Sequence, residues 1–277
     1  MNWSFGTHTK IFWPRHGASI VPEDNTHPLW YELASYLGDD FNPFLCHGND
    51  GAVNAEAALY DTAQDFYRDT QRYLYHLTAY YLEHWKQPAY AWVYLLSLTQ
   101  QSTILDYSCG IGCDGVALME AGFRHVSFAD LEGESLRYLR WRLQQRMYLD
   151  APVYTLPTAV IPLHDLVWCM DTIEHIPPQE QIAFIDYLKT HGNCVILNLV
   201  DDRQANGVVH HAVDIEALTA HIADRWSLIY ADWHLREDGG TTRFVCFGDT
   251  LLPCLIAQYL NLTIRVHKKD HEVAARA

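Results

Sequence analysis

Three glycines and two aspartates are the residues of this chain whose spacing most directly suggests chemistry. Gly110, Gly112 and Gly115 match the pattern G-x-G-x-x-G within the stretch ILDYSCGIGCDG, and glycines in such a loop let backbone N–H groups approach a ligand closely. Asp106 lies inside the apolar run before the loop, and Asp130 follows Gly112 by 18 residues. A carboxylate at the latter position can accept hydrogen bonds from ribose hydroxyl groups. The spacing predicts a site for a nucleotide-bearing cofactor.

The segments around this loop alternate between strand-like and helix-like patterns. Five short apolar runs are typical of strands: TILDYS, HVSFAD, APVYTL, DLVWCM and NCVILNLV. Between or after them lie four segments with helical periodicity: GCDGVALMEAG, GESLRYLRWRLQQRMYL, PQEQIAFIDYLKTHG and DIEALTAHIAD. Such alternation predicts parallel β-α-β crossovers and a doubly wound α/β sheet. WSLIYADWHL and TTRFVCFGD are joined by the short REDGG, which predicts an antiparallel hairpin at the end of the sheet.

The region before this alternation is rich in aromatic residues and mainly helical in pattern. PLWYELASYL predicts a short helix, and PAYAWVYLLSL predicts another after Pro88. Between them, from about Ala55 onwards, residues recur at i+3 and i+4 and predict one amphipathic helix: Tyr60, Ala63, Tyr67, Thr70, Leu74, Leu77 and Tyr81. We therefore expect three parts: a helical region over 1–99, a cofactor-binding domain over 100–264 and a polar tail over 265–277.

Composition and charge exclude several classes of function. The 277 residues include 19 Lys and Arg against 34 Asp and Glu, a net charge of −15, which opposes binding to the phosphate backbone of a nucleic acid. We find no long apolar run of the kind that crosses a membrane and no apolar signal segment at the start. The chain has 16 His, yet no H-E-x-x-H or C-x-x-C pattern, so we expect no metal site. Seven scattered cysteines favour a reducing, cytoplasmic location.

The glycine loop and its surroundings resemble the class I S-adenosylmethionine-dependent methyltransferases. ILDYSCGIG follows their first motif, with Ser108 where the family usually has a glycine, and a serine fits there if its φ is negative. LPTAVIPLHDLVWCMDTIEHIP resembles the third and fourth motifs, and VVHHAVDIEALTAHI resembles the segment before the fifth helix. The resemblance covers roughly residues 100–250. It implies a Rossmann-like sheet in which a seventh strand inserts antiparallel beside the fifth.

The same resemblance implies the cofactor S-adenosylmethionine and the residues that bind it. It places the methionine half near the loop and the ribose near the end of the second strand. The implied cofactor-binding residues are Asp106, Tyr107, Ser108, Cys109, Gly110, Gly112, Asp130, Leu131, Met170 and Asp171.

Nicotinamide dehydrogenases share the glycines and the later acid, and they are the competing interpretation. A carboxylate at Asp106 would repel a pyrophosphate, whereas it would attract the ammonium group of a methionine moiety. The terminal hairpin also favours the methyltransferase sheet. We therefore favour a methyltransferase over a dehydrogenase.

Methyl transfer requires an aligned acceptor and, for some acceptors, a base that removes a proton. His175 and His211 are the candidate catalytic residues, because imidazole side chains titrate near neutral pH. Asp171, Glu174 and His210 are further candidates, and Tyr107 is a candidate for lining the methyl pocket. A structural role as a cap or packing residue remains the alternative for Glu174 and His175.

The acceptor is expected to be a small organic molecule, apolar or aromatic, methylated on oxygen, nitrogen or carbon. The aromatic helical region before the first strand would then cover the site as a lid, and its Tyr and Trp side chains suit such a molecule. A peptide or protein acceptor is one alternative. A cofactor-binding subunit without turnover, associated with another enzyme, is the other.

Overall fold

A mixed sheet of seven strands organises the chain. The computed structural model describes residues 28–46, 50–83, 99–201, 210–235 and 241–249. The strands are β1 Thr103–Tyr107, β2 His125–Leu131, β3 Val153–Leu156, β4 His164–Cys169, β5 Gly192–Asp201, β6 Ser227–Leu235 and β7 Thr241–Gly248. Their order is β3-β2-β1-β4-β5-β7-β6. β1 to β5 are mutually parallel, and β7 runs antiparallel to both β5 and β6. The predicted α/β sheet and terminal hairpin are confirmed.

Helices cover both faces of this sheet. Within the described ranges the α-helices are α1 Pro28–Leu37, α2 Asp50–Ala57, α3 Ala63–Asp69, α4 Arg72–Glu83, α5 Cys113–Glu120, α6 Glu134–Gln145, α7 Gln181–Thr190 and α8 Ile215–Arg225. Side chains of successive strand residues point to opposite faces. Accordingly, Ile104 packs in a core cluster with α5 and α6, while Leu105 packs in a second cluster with α7 and α8. The sheet is therefore buried on both faces.

The turn between β1 and α5 depends on left-handed backbone conformations. Ser108, Gly110 and Gly112 have φ values of 54°, 54° and 69°. A Cβ at Gly112 would lie 2.3 Å from a methyl carbon of Leu139 in α6, so the turn can pack on this helix because the side chain is missing. The condition for an unstrained serine at this position, a negative φ, is not met at Ser108. The turn needs the conformation that a glycine would supply at this position.

The single helix predicted from about Ala55 is also wrong within the described residues. α2 ends at Ala57, and α3 begins after Thr62, which is extended and whose Oγ1 accepts a hydrogen bond from the backbone N–H of Asp65. Thr70 ends α3 in an extended conformation with ψ of 128°. The Thr62 side chain, bonded to the nearby backbone, competes with helix continuation, so the end of α2, α3 and α4 replace the one predicted helix. PAYAWVYLLSL and the tail over 265–277 lie outside the described residues.

A buried ion pair attaches the first helix to the sheet domain. The side chain of Arg142 in α6 is 2% exposed, and its Nε donates to Glu32 in α1 over 3.1 Å. Arg146 also pairs with Glu32, and a second nitrogen of Arg142 donates to the backbone carbonyl of Ile111 in the β1–α5 turn. One guanidinium thus joins α1, α6 and the glycine turn.

We predict that Arg142→Met lowers the free energy of unfolding by about 3 kcal/mol, because it leaves the Glu32 carboxylate and the Ile111 carbonyl with fewer donors in a buried place. Chemical denaturation monitored by circular dichroism measures the effect. Arg140→Met is the matched control on the same helix. It removes an exposed pair with Glu132 and should cost less than about 1 kcal/mol. Equal losses in the two variants would contradict the role assigned to Arg142.

We predict that Ser108→Gly raises the free energy of unfolding by about 1 kcal/mol, since a left-handed conformation costs an L-residue roughly this much more than it costs glycine. Denaturation of both proteins under identical conditions tests this. A lower stability of the glycine variant would mean that contacts of the serine side chain outweigh the backbone strain.

Candidate cofactor and acceptor site

The residues singled out from the sequence gather at one edge of the sheet. β1, β2, β4 and β5 are parallel, so their carboxyl ends lie side by side. The turn after β1, the end of β2 and the segment after β4 therefore meet there. This edge is where ligands bind in open parallel sheets.

Asp106, near the end of β1, binds the backbone at the start of α5. Its side chain is 3% exposed, and Oδ2 accepts a hydrogen bond of 2.8 Å from the backbone N–H of Gly115. A carboxylate near the N-terminus of a helix is favoured by the helix dipole. In this structure, Asp106 thus orients the turn and helix through the backbone.

Asp130 holds the other side of the same turn. Its Oδ2 accepts from the N–H of Gly110 at 2.5 Å, and its Oδ1 accepts from the N–H of Leu131 at 2.6 Å. Burial raises the pKa of this carboxyl to about 6, against the opposing effect of the two N–H groups. A carboxylate has about four lone-pair positions, so acceptor capacity remains for a ligand.

Cys109 and Tyr107, the other predicted residues at this turn, differ in their surroundings. The N–H of Cys109 donates to the carbonyl of Ala129, and burial raises the pKa of its thiol. The side chain of Tyr107 packs against the rings of Phe184 and Tyr187 of α7, in the core cluster under the sheet. That ring lies away from the glycine turn, so the structure gives no support to Tyr107 as a lining of the methyl pocket.

The segment after β4 brings Met170 and Asp171 to the same edge. Met170 is buried in the core cluster with α5 and α6. Asp171 has a φ of 49°, and its backbone N–H donates to Oδ1 of Asn198 in β5 at 2.6 Å. Nδ2 of Asn198 donates in turn to the Asp171 carboxylate. This pair of bonds fixes an unusual backbone conformation at the carboxyl end of β4, a feature that often accompanies functional sites.

His175 lies one short turn further along, in a 3-10 helix over Ile173–His175. Its Nδ1 is 2.9 Å from the hydroxyl oxygen of Tyr67 in α3, and its ring centroid is 4.7 Å from that of His210. His211 instead contacts this turn through its backbone, whose N–H donates to the carbonyl of Glu174 at 2.7 Å. Of the two neighbouring histidines, it is His210 whose ring lies against that of His175, at a tilted angle of 57°.

The N-terminal helices lie directly over this edge. A Cβ at Gly110 would be 3.3 Å from a methyl carbon of Leu77 in α4. At Gly133, after β2, a Cβ would be 2.9 Å from the Cα of Arg68 in α3, so the missing side chain allows the two backbones to approach. α3 and α4 therefore form one wall of the site.

Sequence reasoning placed the aromatic helical region over the site as a lid, but it gave no individual role to Tyr67, Leu77, Asn198 or Arg142. Tyr67 and Leu77 fit an amphipathic helical pattern and were interpreted as part of a packed helix. Tyr67 and His175 are 108 positions apart in the sequence, and a local sequence pattern cannot predict a contact between residues so far apart. Asn198, a polar residue in the otherwise apolar NCVILNLV, is the one signal that the sequence offered.

Two further findings concern metal binding and membrane-spanning helices. In the ranges that the structure describes, no group of three or more His, Cys, Asp or Glu side chains is placed to hold a metal ion. In the same ranges, no helix is long and apolar enough to cross a bilayer.

Comparison with known proteins bears on the fold. No family model matches the chain, and no curated protein is significantly similar to it. Among solved structures, magnesium protoporphyrin IX methyltransferase from Synechocystis PCC 6803 with bound SAH matches with a TM-score of 0.50 and 16% identity, over 59% of this chain and 81% of that one. N-methyltransferase NodS from Bradyrhizobium japonicum WM9, in complex with S-adenosyl-l-homocysteine, has a TM-score of 0.47 and 11% identity, over 72% and 96%; we base no argument on this weaker match.

The strand order of the sheet and the similarity to magnesium protoporphyrin IX methyltransferase indicate the same fold. β7 lies antiparallel beside β5, as the resemblance to the methyltransferase sheet implied. The chain has the Rossmann-like fold of class I S-adenosylmethionine-dependent methyltransferases.

Proposed function

We propose that the protein is an S-adenosylmethionine-dependent methyltransferase. The observation that carries the proposal is the hydrogen bond between Asp130, at the end of β2, and the N–H of Gly110 in the β1–α5 turn. It brings together the acid expected on the ribose and the turn expected near the methionine half. The fold is consistent with this reaction, and the magnesium protoporphyrin IX methyltransferase named above was solved with the demethylated cofactor.

The residues present fit such a cofactor. The Asp130 carboxylate is partly exposed at the sheet edge and retains acceptor positions for ribose hydroxyl groups. Asp130 and Asp106 accept backbone N–H groups from Gly110 in the turn and from Gly115 at the start of α5. Negative charge on both sides of this turn favours a bound cation. The sulfonium and ammonium groups of S-adenosylmethionine would supply that charge.

When bound, the cofactor supplies an activated methyl group. The chain's own residues then have to align the acceptor, exclude water and accept a proton. We propose His175 as the base, because its ring lies at the carboxyl end of β4 and is held by Tyr67. His211, the other predicted base, contributes a backbone N–H to the same turn, and we assign it a structural role.

We propose that the acceptor is a small organic molecule with aromatic or apolar character. Tyr67 and Tyr73 have ring centroids 5.0 Å apart, and Tyr73 stacks on His76 at 5.6 Å. These rings belong to α3 and α4, the helices that lie over this edge of the sheet. An aromatic wall of this kind suits a planar acceptor. No described feature specifically favours a peptide acceptor, a subunit without turnover or a dehydrogenase.

We predict that Asp130→Asn weakens binding of S-adenosylmethionine and of its demethylated product by about 1.5 to 3 kcal/mol, the range for hydrogen bonds to a charged group. Titration calorimetry measures both ligands. Asp165→Asn is the control, because Asp165 also accepts a backbone N–H, that of Thr103, but at the opposite edge of the sheet. Its affinities should match those of the unchanged protein. Tight binding of NADH without binding of either S-adenosyl compound would refute the proposed function.

We also predict that Asp130→Asn removes a pH dependence from the stability of the ligand-free protein, although asparagine can accept only one of the two backbone N–H groups. Folding raises the pKa of this carboxyl from an ordinary 3.8 to about 6, so its contribution to stability is fully present below about pH 4 and is lost as the pH rises through about 6. Asparagine removes that loss. Denaturation at several pH values should show that the stability of the variant relative to the unchanged protein is more favourable at pH 8 than at pH 5. A stability difference that does not vary with pH would contradict this account.

A further inference from the structure

The hydroxyl group of Tyr67 is placed to take part in proton transfer together with His175. We propose that Tyr67 contacts the acceptor and takes its proton while passing its own proton to Nδ1 of His175. The inference rests on the proposed function and adds a second catalytic residue to it. The observation that carries it is the 2.9 Å separation between the Tyr67 oxygen and that nitrogen.

The position of Tyr67 is fixed by α3 and by its neighbours. Thr62 caps the start of α3, and the hydroxyl of Thr70 at its end donates to Glu56 at 2.5 Å. The Tyr67 ring packs against Phe66 and Tyr73, with centroids 5.3 and 5.0 Å away. A side chain held in this way presents its hydroxyl without further loss of conformational freedom, as a proton-transfer group requires.

The protonation state of Tyr67 allows its hydroxyl to be the donor in this bond. Burial raises the pKa of the phenol far above its ordinary value, and the charges of Glu174 and Asp130 add to the increase. The hydroxyl is therefore protonated at neutral pH, and in the proposed arrangement it donates to Nδ1 of a neutral His175. That histidine then carries its own proton on Nε2, since neutral imidazole has one donor and one acceptor nitrogen.

The same shift requires the two protons to move together. A free phenolate at Tyr67 is disfavoured by burial and by the nearby carboxylates, so the residue cannot first lose its proton and later gain another. In the concerted step, the acceptor's X–H proton moves to the Tyr67 oxygen and the tyrosine proton moves to Nδ1, giving an imidazolium. The electron pair of X forms the new bond to the methyl carbon, and the pair of the breaking carbon–sulfur bond stays on sulfur.

The hydrogen bond can be tested without knowing the acceptor. Nitrogen chemical shifts of 15N-histidine-labelled protein, with the demethylated cofactor bound, report which ring nitrogen carries the proton, and His175→Gln assigns the signal. We expect the Nε2–H form in the unchanged protein and a mixture of both forms in Tyr67→Phe. An Nδ1–H form in the unchanged protein would overturn the inference, because Nδ1 would then already be occupied by a proton.

The transfer itself is tested with the best acceptor from a panel of phenols and aromatic amines. We expect Tyr67→Phe to lower kcat by roughly 100-fold or more, the usual contribution of a proton-transfer group, while the Kd of the demethylated cofactor changes less than about two-fold. Tyr60→Phe, which removes a hydroxyl from the same aromatic cluster, should keep its kcat. Thermal unfolding of both variants checks that they are folded.

The dependence of rate on the fraction of D2O separates transfer from mere positioning. Two protons in motion give a curved dependence in the unchanged protein, and a single transfer gives a straight line. A straight line, or a kcat retained in Tyr67→Phe, would overturn the inference while leaving the proposed function intact. Absence of turnover by the unchanged protein with any acceptor, despite cofactor binding, would instead count against the proposed function and the inference with it.

Discussion

The geometry of the site depends on two carboxylates that hold one backbone turn. Asp106 accepts from the N–H of Gly115 and Asp130 accepts from that of Gly110, so the turn between β1 and α5 is clamped at both ends. Buried backbone N–H groups need acceptors, and carboxylates supply strong ones. The consequence is negative charge at the carboxyl edge of the sheet, which opposes an anionic pyrophosphate and favours a cationic ligand.

The same turn also organises the N-terminal helices. Arg142 links the carbonyl of Ile111 to Glu32 in α1, and Leu77 of α4 rests against Gly110. The helical region is thus attached to the turn by a buried charge at one point and by apolar packing at another. A change in the turn on ligand binding would reach α1 and α4 directly, since interiors packed at this density transmit displacement.

The sheet was predictable from the sequence because its strands are apolar runs, separated by helices with clear periodicity. The division of the N-terminal region was not, because Thr62 and Thr70 occupy positions that an amphipathic helix tolerates, and their capping bonds are visible only in three dimensions. For the site, the glycines and Asp130 follow a local spacing and were found. The role of Tyr67 was missed because its partner His175 is 108 positions away. At Ser108 the sequence could give only a condition on φ, and the structure shows that this condition is not met.

Stability and binding make opposite demands on Asp130. Burial raises its pKa to about 6, so at neutral pH the ligand-free protein carries an ionised carboxylate in a place that disfavours the charge. The penalty is reduced by the N–H groups of Gly110 and Leu131, and ribose hydroxyl groups would reduce it further by donating to the remaining lone pairs. The free energy that ionisation of Asp130 costs the ligand-free fold at neutral pH would then be recovered in part on binding, so a carboxylate that lowers stability would serve the bound state.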